Sequence, residues 1–106
     1  MRFLALALVL AACKQPIPDT TDGKQLFEYT CARCHGNDGH GDPVLKPQLG
    51  VPDMTDPAWQ ARLTDDDIAR TVHKGSRSGK MPALGNMYSD EQLAAIIQYV
   101  RHWRAP

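Results

Sequence analysis

Cys31-Ala32-Arg33-Cys34-His35 puts two thiols three residues apart, with an imidazole directly after the second. On a helical turn the two thiols face the same way, so each can add to a vinyl group on one edge of a haem while the adjoining histidine reaches the iron. Two other chemistries use cysteines at this spacing. A structural zinc site needs four ligands, and no second Cys pair or spaced His pair accompanies this one. A thioredoxin-like dithiol belongs in a βαβ setting, and nowhere do apolar and polar residues alternate persuasively as strands require. The motif therefore reads as the attachment point of a c-type haem.

Composition narrows the rest. Twelve Lys and Arg balance twelve Asp and Glu, which excludes the basic excess of a nucleic-acid binder. No nucleophile paired with a base and no recognisable carboxylate pair is visible, so the expectation is a carrier with no small-molecule substrate, not an enzyme. Met1-Arg2 precedes an apolar run over residues 3–12, too short to span a bilayer and suited to an export signal. Leu10-Ala11-Ala12-Cys13 resembles a lipobox, and Cys13 is the odd cysteine once Cys31 and Cys34 are assigned. The resulting plan is a signal peptide over 1–12, a lipidated cysteine and tether over 13–22, and a single haem domain over 23–106. Such a protein is anchored by lipid on the periplasmic side of a bacterial membrane, and several acyl chains make that attachment effectively permanent.

The elements that must hold the motif are helical. Gly23 to Arg33 is a helix candidate with Asp22 as N-cap and Leu26 and Phe27 on one side. Residues 36–56 read as a long irregular loop rich in Gly and Pro, of the kind that wraps around something. Thr64, followed by Asp65, Asp66 and Asp67, caps a second helix through Ile68 and Val72, with Gly75 as its stop. Ser89 and Gln92 form a capping box ahead of Leu93, Ile96, Ile97, Val100 and Trp103, which recur at helical spacing. With 2 Phe and 2 Trp in 106 residues the protein core is thin, and a domain so small leans on its cofactor.

Over nearly the whole length after the leader, the chain resembles the class I c-type cytochromes. Gly23 and Phe27, eight and four residues before Cys31, are similar to the family positions where the first helix is crossed by an aliphatic and an aromatic residue of the last; here those are Ile96 and Tyr99. Glycine at such a crossing lets two backbones approach closely. Pro47-Gln48-Leu49 resembles the stretch whose proline carbonyl accepts a hydrogen bond from the ligating histidine and whose leucine packs on the haem; Pro52-Asp53-Met54 is a rival. Lys80-Met81-Pro82 resembles the loop that supplies the sixth ligand. The acidic stretch around Asp65 and the Tyr88-Ser89 lead-in to the last helix depart from the pattern. The resemblance implies an all-α cytochrome c fold: three main helices and long loops wrapped around one covalently bound haem c.

It also implies iron held by His35 and Met81, with the haem on Cys31 and Cys34. Met54 and Met87 are the other thioethers in reach of a wrapping chain, with ordinary packing as their alternative role. His40, His73 and His102 are the bis-histidine alternatives, each also readable as a solvated surface histidine. His/Met ligation raises the potential, because a neutral thioether favours reduced iron. The implied function is transient one-electron exchange with a redox-protein donor and acceptor. Lys74, Arg77 and Lys80 cluster before Met81, where they could steer an acidic partner or be ordinary solvated charge. Trp59 could pack on the haem rim or fill the core, and packing is the expectation.

Overall fold

The computed structural model describes residues 17–104; the expected signal peptide, Cys13 and residues 14–16 of the tether lie outside them. Among the described residues six helices follow in order: α1 (Gly23–Thr30), α2 (Ala32–His35), α3 (Leu45–Leu49), α4 (Pro57–Arg62), α5 (Asp65–Lys74) and α6 (Asp90–Arg101). Among the described residues there is no strand, and no helix is long and apolar enough to cross a membrane. The all-α architecture expected from the sequence is present, with α1, α5 and α6 as the main helices.

Local chemistry sets the ends of these helices. Asp22 accepts from the amides of Lys24 and Gln25 at the start of α1. Thr64 and Asp67 form a full capping box on α5, as do Ser89 and Gln92 on α6, each satisfying amides that have no partner within the helix. The single helix expected over 23–33 is divided at Cys31. Helical hydrogen bonding still runs through the junction: the Cys31 amide donates to Phe27 O at 2.7 Å and the His35 amide to Cys31 O at 2.9 Å. The expected irregular stretch over 36–56 contains α3, whose first amides are capped by Asp42. Pro47 falls in the first turn of α3, where it needs no amide partner. Helix α4 begins at Asp56-Pro57, an N-cap followed by proline at the first helical position.

The core is built where α1 crosses α6. A Cβ on Gly23 would lie 2.1 Å from the carbonyl oxygen of Ala95, so only glycine admits this approach. Phe27 is fully buried, with its ring 5.2 Å from that of Tyr99 and 5.4 Å from that of Trp103, and Ile96 is buried beside it. Met54, Trp59, Ile68, Val72, Tyr88, Leu93, Ile97 and Val100 complete the cluster, so Trp59 packs as expected.

Buried Gln60 ties this core to the wrapping chain. Its Nε2 donates to Met54 O at 2.7 Å and Val100 O at 2.9 Å, while its Oε1 accepts from Arg101 at 3.0 Å. Arg101 also reaches the carbonyls of Gln60 and Leu63 and the carboxylate of Asp65. Replacing Gln60 with Leu leaves two buried carbonyls unpaired, so urea denaturation of the holoprotein should show a loss of about 2–4 kcal/mol. A loss under about 1 kcal/mol would show that these bonds are readily replaced.

Residues 17–22, expected as part of a free tether, are held against the domain. Gln92 uses its Oε1 in the capping box and has both Nε2 hydrogens left; Nε2 donates to Pro18 O at 3.2 Å and Thr20 O at 3.1 Å. Ile17 packs against the core.

Candidate haem-binding site

The end of α1 and the turn of α2 carry Cys31, Cys34 and His35 on nearly continuous helical backbone. Both thiols are free and partly buried. Burial pushes the Cys31 thiol up to about 12, with Cys34 beside it adding to the effect. That thiol therefore stays protonated at neutral pH, a poor setting for the thiolate that disulfide exchange requires. Among the described residues, no three His, Cys, Asp or Glu side chains gather as a metal site would need.

His35 is buried at 8% exposure, and burial lowers its pKa, so the ring is neutral and carries a free lone pair. Its Nδ1 is the one buried side-chain nitrogen or oxygen among the described residues that has no hydrogen-bond partner. Buried polar atoms are almost always paired, so an imidazole in this state is the kind of residue a prosthetic group completes. The Phe27 ring, 6.4 Å away between centroids, closes one side. The chain then folds back on the motif: Gly41 and Asp42 donate to the carbonyls of His35 and Cys34, both at 2.8 Å.

The bond expected from His35 to the Pro47 carbonyl is not formed, since Nδ1 has no partner. Pro47 lies instead on a short helix and is exposed, while Leu49, on the same helix, is half-buried. Helix α3 packs beside α2, and Lys80 Nζ reaches Gln48 O at 3.5 Å, which brings the Pro47–Leu49 turn next to the segment carrying Met81.

Met81 is half-buried against the core in the loop between α5 and α6. The other methionines are placed differently. Met54 is buried and fixed by its backbone, its amide donating to Gly39 O and its carbonyl accepting from Gln60; Met87 is 46% exposed, so packing is not its role. Each alternative histidine already has a protein partner. His40 contacts Asp53 and Thr55, His73 Nδ1 lies 2.8 Å from Gly85 O, and His102 contacts Tyr99 O while stacking on the Tyr99 ring. Tyr88, missed by sequence reasoning, is buried with its hydroxyl against Thr30 Oγ1, one residue before Cys31; burial raises its pKa. Its departure from the family pattern was the available signal.

Residues 18–100 match the family described as cytochrome c oxidase, cbb3-type, subunit III. The chain belongs to that family. Among curated relatives it is 35% identical to the cbb3-type cytochrome c oxidase subunit FixPc of Rhizobium leguminosarum bv. viciae, over 74% of this chain and 25% of that protein. It is 34% identical to FixP of Azorhizobium caulinodans over 78% of this chain and 27% of the relative, and 31% identical to CcoP of Rhodobacter capsulatus over 87% and 32%. This cytochrome thus spans only about a quarter to a third of those relatives. Among solved structures it is similar to the KustC0563 c-type cytochrome, with TM-score 0.71 and 27% identity over 79% of this chain and 99% of that one. The cytochrome c fold expected from the sequence is therefore established, and with it a covalently bound haem c as cofactor.

Proposed function

We propose that this cytochrome is a one-electron carrier whose haem is joined to Cys31 and Cys34 and whose iron is held by His35 and Met81. The observation that supports this most is the buried, neutral, unpartnered imidazole of His35 directly beside the two free thiols. The haem supplies the redox change; the chain supplies ligands and a water-poor surround. Phe27, at the crossing of α1 and α6, backs the His35 side, and Pro47 and Leu49, on the α3 that packs beside α2, would line the haem. Lys74, Arg77 and Lys80 are exposed on the approach to Met81, so they are available to steer an acidic redox partner through a small, short-lived interface.

The setting belongs to the same proposal. The chain is exported, its signal peptide over 1–12 is removed, and lipid on Cys13 holds residues 23–106 at the periplasmic face of a bacterial membrane. The names of the relatives point to an oxidase as the partner: the carrier hands electrons to, or serves as a part of, a respiratory or related oxidoreductase.

Met81→Ala tests the ligand set. Removing the thioether opens a coordination position and removes a ligand that favours reduced iron. The reduced variant should bind carbon monoxide where the parent protein does not. Its potential should fall by something on the order of 0.1 V, within the roughly 0.8 V range that axial ligands span. A variant with an unchanged potential and an intact Met-to-iron absorption band would overturn the assignment.

A further inference from the structure

The loop that carries Met81 is fastened to the end of α5 at two places. At its far end, the Leu84 amide donates to Val72 O at 2.9 Å and the Gly85 amide to His73 O at 3.1 Å. At the near end Ser76 holds Met81 from both sides of its backbone. The Ser76 amide donates to Met81 O at 3.1 Å, and the Met81 amide donates to Ser76 Oγ at 3.0 Å. Gly75, at φ 79°, makes this possible, for a Cβ there would lie 2.7 Å from Met81 O.

We propose that Ser76 is a positioning residue for the sixth iron ligand: its hydroxyl and amide pin the Met81 backbone and so hold the thioether on the metal. This rests on the reading of Met81 as ligand. For an external ligand to take the iron, the Met81 thioether must leave it and the loop must yield. The exchange breaks one iron–sulfur bond and forms one iron–nitrogen bond with imidazole, with no change of oxidation state. With Ser76 in place, that motion also strains or breaks two hydrogen bonds to the Met81 backbone, one of them to the Ser76 hydroxyl. Without the hydroxyl the half-buried Met81 amide loses its acceptor, and the detached arrangement becomes easier to reach.

Titration of the oxidised, haem-loaded protein with imidazole, followed by absorbance, tests this. Loss of one ordinary hydrogen bond predicts about fivefold to tenfold tighter imidazole binding by Ser76→Ala. Ser76→Thr, which keeps the hydroxyl, should restore the parental affinity. Ser78→Ala removes a neighbouring hydroxyl that contacts Ser76 Oγ but not Met81, and should change affinity less than about twofold. In a Met81→Ala background the effect of Ser76→Ala should vanish. If Ser76→Ala binds imidazole like the parent, or if its effect persists without Met81, the inference is overturned while Met81 stays the ligand. If the parent and Met81→Ala bind imidazole equally well, the ligand assignment itself fails, and the role of Ser76 with it.

Discussion

Made without haem, a Cys31→Ala, Cys34→Ala variant is expected to lose most of its helical circular dichroism and to melt without a cooperative transition. Among the described residues only Leu26 and Phe27 are completely shielded by protein, and the core is a single cluster of eleven buried residues that includes them. A domain this small buries roughly 60–65% of its unfolded surface, which leaves little margin against chain entropy. A group enclosed only by the folded chain adds directly to its stability, so its removal should shift the balance to the unfolded state. Native-like helical signal with a sharp melting transition would show that the protein core suffices alone.

Substitution of Gly23 by Ala in the haem-loaded protein should cost about 2–3 kcal/mol in chemical denaturation, a large share of the stability of a small domain. The added methyl would lie 2.1 Å from the Ala95 carbonyl oxygen, 2.7 Å from its carbon and 3.1 Å from Tyr99 Cβ. Two of these neighbours are backbone atoms, so relief requires moving α1 away from α6, which loosens Phe27 against Tyr99 as well. Any gain in helix propensity on going from Gly to Ala is smaller than this, at most about 1 kcal/mol. Gly50→Ala provides the contrast. It has no atom within 4 Å of the added carbon, so only the strain of its left-handed backbone applies. Equal losses at the two positions would mean that the crossing is not tightly packed.

The parts legible in the sequence were those governed by local rules or by a fixed spacing. Asp22, Thr64 and Ser89 cap the main helices because short polar side chains satisfy amides a few residues away, and such geometry needs no knowledge of the fold. Gly23, Phe27, Ile96 and Tyr99 were placed at one crossing by resemblance, and the contacts bear this out. Helix α4 went unseen although Asp56-Pro57 is a start signal, since six residues are too few to display an apolar period. Helix α3 was hidden by the density of Gly and Pro around it. Gln60 and Arg101 could not be picked out at all, for their partners lie 36 to 41 residues away and hydrogen bonds of that range leave no pattern in sequence.

The grip of Gln92 on Pro18 and Thr20, with Ile17 seated on the core, sets a radius of action. For a chain fastened by lipid at Cys13, three residues lie between the anchor and Ile17, and the four extended steps from 13 to 17 bridge at most about 14 Å. Such a leash would confine the domain to a thin layer over the bilayer and restrict how it can turn. Its exchange partners would then have to meet it there, at the membrane surface, and could not collect electrons from it at a distance.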